Sequence, residues 1–599
     1  MKNSLAQLLA LLRPKDKRNG LVLLAMMLVS AVLEVVGLAA VPAFVGALVD
    51  PERLGTIPFV GEDLRELGSE SPKTLVVWGA AALFGIFAAK NAFLALNHYS
   101  QIRYTLNRRV ELANRLMRAY MRAPYVFHLR HNTSELLRNV EHETNVIAQQ
   151  IIGAVLDVAT RIVVLVAILA FLLVAEPVIT IFWGALFASC MLGVLLATSR
   201  QLQGHALTEQ RHRSRFVQAL YQAFGCIKES RVLNREALFA ERFGDGLART
   251  AHAIRYKNFL SRMIPPLTEM VAITGLLVLA VALVLLARPV ESILVTMSLF
   301  VVALVRLREG FSSLLSRLTG LRYSSVSLAP VHRHLMELER EGDRQDALAP
   351  PEGEPMRLRS EIRLEDVWFR HSGADRPALQ GLDLVVPARS AVALVGSTGA
   401  GKSTAVDAIL GLLEPDRGAV LVDGVDIRVS GVRRWQRAIG YVPQTIYILD
   451  DTIRRNIALG VPDRDIDEAA LARAIEAAQL QQFVARQPSG LETQVGENGL
   501  RVSGGERQRI GIARALYNDP SVLILDEATS SLDTVTESAV IRSVEQMRGE
   551  RTIVMIAHRL TTVRNCDRLY FMRDGRVEAQ GTYEELRERH RDFAQMAAE

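Results

Sequence analysis

Cysteine is nearly absent from this chain. The three present, at positions 190, 226 and 566 of 599, are odd in number and widely scattered. That excludes a disulfide framework and leaves no spacing suited to a metal site. No cleavable leader is expected either: the N-terminus is basic, but the apolar segment behind it is long and lacks a small-residue cleavage site. An acidic excess is also missing, since the net charge is +6 and the isoelectric point is near 9.2. A basic chain is one reading of a nucleic-acid binder. Here much of the positive charge adjoins hydrophobic segments, which points to a membrane interface instead. Long apolar runs are lacking from residues 345–599, which have the mixed charge of a soluble domain, but fill residues 20–320. A membrane half followed by a soluble half is the first inference.

Segments long enough to cross a bilayer, about 20 residues, occur near 20–48, 74–98, 146–175, 178–199, 266–287 and 290–312. Very short turns, AEP at 175–177 and ARP at 287–289, join two pairs into hairpins. Residues 101–143 hold eight Lys and Arg, and residues 200–262 hold twelve; the loop 50–72 holds two among six acids. By the positive-inside bias the basic connections are cytoplasmic. An even number of spans then leaves both termini and the soluble half in the cytoplasm. The basic connections have helical periodicity, so helices should run well past the membrane before folding back, with a break at Pro124. The Pro-, Gly- and charge-rich stretch 340–360 reads as a linker between a transmembrane domain, 1–339, and a soluble domain, 361–599.

The soluble half carries nucleotide chemistry. The apolar strand SAVALVG leads into GSTGAGKST and then a helix. Gly396, Ser397, Thr398, Gly399, Ala400 and Gly401 form a loop whose backbone N–H groups can wrap phosphates. Lys402 can reach the β- and γ-phosphates, and Ser403, followed by Thr404, can ligate Mg²⁺. A second strand, SVLILDE, ends in two carboxylates. Asp526 suits Mg²⁺ coordination through water, and Glu527 suits a general base acting on water that attacks the γ-phosphate; a strand ending in solvated acids is the plainer alternative. Gln444 and His558 each follow an apolar strand, so both can project at one sheet edge, where open α/β sheets bind ligands. RVSGGERQRI, 501–510, is a Ser-Gly-Gly turn at the start of a charged helix, a shape suited to an anion.

The ordered set GSTGAGKST, Gln444, VSGGERQR, LILDE, SSLD and His558 resembles the ATPase domain of ATP-binding-cassette (ABC) proteins, across residues 361–599. The resemblance implies ATP and Mg²⁺ as cofactors. It implies that Gln444 senses Mg²⁺ and the attacking water and that His558 contacts the γ-phosphate. Ser503, Gly504 and Gly505 become the signature motif, and Asp533 the D-loop. In such proteins the signature of one domain faces the phosphate loop of another. One chain has one of each, so a second copy of the chain, a homodimer, is implied. Adenine is usually stacked on an aromatic after the first strand; His371 stands there, with Trp368 or Phe369 as alternatives.

Six spans, two long cytosolic extensions and a C-terminal ATPase resemble an ABC exporter half-transporter. The implied fold class is an all-α six-helix transmembrane domain with long intracellular helices, followed by an α/β P-loop nucleotide-binding domain. The six spans exclude the soluble nucleic-acid machines that share this ATPase; no nucleic-acid partner is expected, and the location is the bacterial inner membrane. SAVLEVVGLAAVPAF (30–44), APYVFHLRHNTSELLRNVEHE (123–143) and CIKESRVLNREALFAERF (226–243) resemble flippases of lipid-linked oligosaccharides. A drug, lipid or peptide exporter is the alternative, with a gated channel or regulator after it. Charges inside spans are costly unless paired or wet. Glu34 has no partner in its own helix and reads as functional or bonded across helices. Arg161 has Asp157 one turn away for local neutralisation. Arg306 and Arg308 fit either snorkelling to the cytosolic interface or a basic wall for a pyrophosphate head group, which Lys90 and Arg103 could join.

Overall fold

A computed structural model describes residues 2–49, 72–285, 290–342, 354–496, 499–527, 541–557 and 560–598. The chain divides into two compact units. One comprises residues 1–123 and 131–345; the other comprises residues 346–599 together with the short segment Pro124–Arg130. The predicted break at Pro124 falls where the chain changes unit. Of the predicted linker, residues 343–353 lie outside the described residues, as do the loop 50–71 and the turn 287–289.

The first unit is helical. Its elements are α1 (Lys2–Leu11), α2 (Pro14–Val49), α3 (Pro72–Arg122), α4 (Gly153–Ala175), α5 (Pro177–Gly225), α6 (Glu236–Leu285), α7 (Val290–Ser324) and α8 (Leu328–Gly342). Proline opens α2, α3 and α5, where its missing N–H is not needed. Glu176, in non-helical backbone, separates α4 from α5. Five helical stretches among the described residues are long and apolar enough to cross a membrane: Pro14–Val41, Val76–Arg122, Thr133–Val174, Pro177–Val194 and Glu236–Val281. The sixth expected span, 290–312, lies on α7. Helical backbone suits a bilayer because each peptide group is satisfied within its own segment.

Aliphatic and aromatic side chains pack where the helices cross: Leu165, Ile168 and Leu172 of α4, Trp183 and Phe187 of α5, Ala272 and Leu279 of α6, and Phe300, Ala303, Leu307 and Phe311 of α7. Phe187 stacks between Trp183 and Phe311, with centroids 5.7 and 4.8 Å away. Gly275 makes the approach possible: a Cβ there would lie 2.5 Å from the Trp183 ring. Small residues at such crossings are the usual means of close helix packing in a membrane. Other large apolar side chains, among them Leu21, Phe84, Val174, Val178 and Leu277, face outward, as lipid contact requires.

Preceding α4, the helix loosens to π-type turns over Asn139–Glu143 and Val146–Ile152. Asn139, buried there, donates to the Tyr120 hydroxyl at 3.1 Å, and Tyr120 meets His334 Nδ1 at 2.9 Å. This buried polar knot ties α3 and α8 to the loosened segment. Nothing in the residue pattern announced it.

Two sheets build the second unit. The strands are β1 (Glu361–Phe369), β2 (Leu379–Pro387), β3 (Ala391–Val395), β4 (Arg417–Val422), β5 (Val425–Asp426), β6 (Ile439–Val442), β7 (Val522–Asp526), β8 (Thr552–Ile556), β9 (Arg568–Arg573) and β10 (Arg576–Gly581). An antiparallel sheet runs β2-β1-β4-β5. The larger sheet runs β10-β9-β3-β8-β7-β6, parallel from β9 to β6. Its strands are covered on both faces, which explains their unbroken apolar runs. Val392, Leu394, Val522 and Ile524 face a core shared with the antiparallel sheet and the helix α9 (Lys402–Ile409). Ala391, Ala393, Leu523 and Leu525 face a second core with the helix α10 (Gly504–Leu516). Parallel strands so arranged end at one edge, and β3, β6 and β7 bring their C-termini there.

Candidate functional site

The phosphate-binding loop leaves the end of β3. Gly396 has φ +146°, and a Cβ on it would lie 2.2 Å from the Met572 carbonyl oxygen. Gly401 has φ +96°, and a Cβ there would lie 2.7 Å from the Ala378 oxygen. Both positions therefore need glycine, for conformation and for space. Lys402, buried at the first turn of α9, donates to the Gly396 and Ser397 carbonyl oxygens at 2.8 and 2.9 Å. Burial holds its ammonium below the usual range, against the opposing pull of Glu527 and Asp526. Ser397, Thr398 and Ser403 are exposed, as polar side chains facing a ligand must be, while Ala400 packs inward.

The carboxylates stand at the end of β7 and just beyond it. Gln444 donates its amide to Glu527 Oε2 at 2.7 Å. Glu527 adopts φ +51°, a left-handed conformation that is uncommon outside glycine and clusters at functional sites. Its N–H is fixed by the Ile556 oxygen of β8 at 3.0 Å. The kink turns Glu527 away from the strand direction followed by Asp526. Tyr441 of β6 donates to Asp526 Oδ2 across 3.5 Å, and burial, then Asp526, raises the phenol's pKa. Asp407 of α9 is pushed up to about 6, chiefly by burial and then by the charge of Asp526. Sequence reasoning missed both residues. Asp407 was discoverable, because it lies one helical turn after Ser403 on the same helix face.

Ser403, Gln444 and Asp526 supply hard oxygen donors of the kind Mg²⁺ takes. The backbone N–H groups of 396–401 and the N-terminus of α9 suit a polyphosphate. His371 lies 3.4 Å from the Thr404 hydroxyl and meets Phe369 edge-on at 5.0 Å, so its ring is held beside the loop. Asp533 and His558 lie outside the described residues.

Ser503 caps α10. Its hydroxyl accepts from Glu506 N at 3.3 Å, and Glu506 Oε2 accepts from Ser503 N and Oγ at 2.8 and 2.9 Å. This reciprocal box satisfies two terminal groups and presents exposed Ser503 and Gly504 at the positive end of the helix.

In the helical unit, the five residues considered for a substrate path divide. Lys90 of α3 is buried and donates to Glu34 Oε2 of α2 at 2.7 Å. Arg306 of α7 lies 3.9 Å from Glu34 Oε1. Glu34 is thus bonded across helices and joins three of them. Arg308 instead pairs with Glu269 of α6 at 3.3 Å. Arg103 is exposed, thirteen residues or about 20 Å along α3 from Lys90. The expected local pair of Asp157 and Arg161 takes another form: Asp157 lies 3.1 Å from Arg317 of α7.

Comparison with known proteins agrees with this geometry. The ABC transporter transmembrane region model matches residues 24–307, and the ABC transporter model matches 379–530. Over 557 residues the chain is 30% identical to a Cupriavidus pinatubonensis protein named ATP-dependent lipid A-core flippase, covering 89% of each. A Ralstonia nicotianae protein of the same name is 30% identical over 551 residues, again 89% of each. A Bradyrhizobium diazoefficiens β-(1→2)glucan export ATP-binding/permease protein is 42% identical over 255 residues, 43% of this chain and 41% of that one. The fold is that of a solved bacterial Atm1-family ABC exporter with ATP bound, at TM-score 0.77 and 23% identity, covering 97% of this chain and 98% of that one. Phosphate loop, paired carboxylates and capped signature helix, joined to a membrane-spanning helical unit, make this chain a member of the ABC transporter family: an exporter whose ATPase is coupled to transport.

Proposed function

We propose that the chain is a flippase that works as a homodimer and moves a lipid-linked oligosaccharide across the bacterial inner membrane. The end-to-end 30% identity to proteins named lipid A-core flippase carries the lipid part of this reading. The nucleotide-binding unit and both termini are cytoplasmic, as the basic connections demand.

ATP lies along 396–404, with His371 beside adenine and Lys402 on the β- and γ-phosphates. Ser403 and Asp526, with Gln444 in reach, would hold magnesium, which would supply positive charge against the phosphates. Glu527, oriented by Gln444, takes the proton from the attacking water. Ser503, Gly504 and Gly505 of the second copy complete the pocket; the family resemblance assigns Asp533 to the D-loop and a γ-phosphate contact to His558. Two half-sites then become active only when the copies meet. Closure is carried to the spans by the long cytosolic helices, and hydrolysis releases it.

Arg306 is the residue best placed to meet a phosphorylated head group. Its guanidinium is less buried than Lys90 and holds Glu34 only loosely, and its planar fork suits phosphate. Purified protein in liposomes, supplied with lipid-pyrophosphate sugars, plain lipids, peptides or dyes, tests the reading. The expected result is ATP-dependent movement of the pyrophosphate-linked lipid and stimulation of ATPase by it, weakened in Arg306→Ala. Movement of peptides or dyes alone rejects it; unchanged stimulation in the variant removes Arg306 from the path.

A further inference from the structure

The N-terminal end of α2 reads Arg13-Pro-Lys15-Asp16-Lys17-Arg18. One acid interrupts the cations, and the structure removes it from the surface. Asp16 is buried, at 4% exposure. Its carboxylate accepts from Arg13 N at 3.0 Å and pairs with Arg108 of α3. Its carbonyl accepts from the Tyr104 hydroxyl at 3.0 Å. Arg13 is occupied as well, 2.9 Å from Glu111.

Lys15, Lys17 and Arg18 are exposed, and among the described residues no carboxylate pairs with them. At about 100° per residue, Asp16 points toward α3 while these three cover the remaining arc of the helix. The first helical turn adds its own positive end.

Depth decides what this surface meets. The outward apolar run begins at Leu21, 67% exposed, and continues through Val22, Leu24 and Leu28. Arg18 precedes Leu21 by about 4.5 Å and Lys15 by about 9 Å along the axis. The polar layer of each leaflet is roughly 5–7 Å thick. Long cationic side chains therefore end within or just above it. Nearby arginines add nothing to this surface, since Arg108 and Arg115 are tied to Asp16, Glu111 and Glu339.

We propose that Lys15, Lys17 and Arg18 form a docking surface for the anionic phosphate headgroups of the surrounding membrane leaflet. It is separate from the substrate path and does not depend on which cargo is moved. Anionic lipid gathered here holds the start of α2 at a fixed depth.

The test uses the full chain in vesicles of phosphatidylcholine with or without phosphatidylglycerol. It measures the relative association of labelled phosphatidylglycerol with wild type and with K15Q/K17Q/R18Q. Each cation near a charged surface is worth about fivefold in association. Wild type should prefer phosphatidylglycerol, the preference should fade as salt rises, and the triple variant should lose at least about tenfold of it. ATPase in detergent should be unchanged in the variant, which reports folding. Equal preference in both proteins overturns the proposal, as does a wild-type preference indifferent to salt. Should the variant lose detergent ATPase, K15R/K17R/R18K and the wild-type salt titration decide: the first must keep the preference and the second must abolish it.

Discussion

At the scale of single residues, Glu527 has the most at stake. Its left-handed backbone and the Gln444 amide hold one carboxylate oxygen in place. Glu527→Gln keeps the shape and removes the proposed base, so turnover should fall by about 10²–10⁴-fold while ATP binding persists; retained nucleotide and phosphate release are the measurements. Asp407 gives a stability test. Its folded pKa of about 6 stands above an unfolded value near 4. Ionising it in the fold is therefore costly, and that cost grows as pH rises from about 4 and is complete above about 6. Asp407→Asn removes the cost. Thermal unfolding without magnesium should show the variant stabilised above about pH 6 and the gain vanishing below about pH 4. A gain confined to acid contradicts the sign.

At the scale of elements, chemistry carried by a contiguous stretch is legible in sequence. Strand, glycine loop and helix at 391–409 need only local geometry, and so does Ser503 followed by Glu506 at the start of α10. The capping box makes a prediction: Glu506→Ala removes its hydrogen bonds to Ser503 and should cost about 0.5–1.5 kcal/mol in unfolding of the nucleotide-binding unit, with Glu506→Gln intermediate or neutral. An alanine variant as stable as wild type would show the box to be idle. Illegible features are those in which one residue's partner lies far along the chain. Glu34 needed Lys90, 56 positions away, and Asp157 took Arg317 rather than the arginine one turn along. Helix periodicity gives each face but not what it meets. The π-type turns before α4 were hidden for the same reason, since they accommodate a knot made with Tyr120 and His334.

At the scale of the whole molecule, the membrane and soluble halves follow from where apolar runs stop, whereas the assignment of 124–130 to the second unit required coordinates. The proposal that each site is shared between two copies allows a direct test. Neither Lys402→Ala nor Ser503→Glu chains should hydrolyse ATP alone. If each pocket is so shared, mixed chains would form one pocket with both defects and one with neither, so hydrolysis should reappear on mixing. Silence of the mixture, with dimers demonstrated, would place each pocket within a single chain.

The length of α3 has a further consequence. Its 51 residues extend about 76 Å, against about 30 Å of hydrocarbon. Such a rod is a lever: a tilt of about five degrees at one end sweeps the other through about 7 Å. A small change of angle at one end thereby becomes a displacement of several ångströms at the other. A hinge of consecutive glycines placed in its middle should leave ATP turnover running with little cargo delivered.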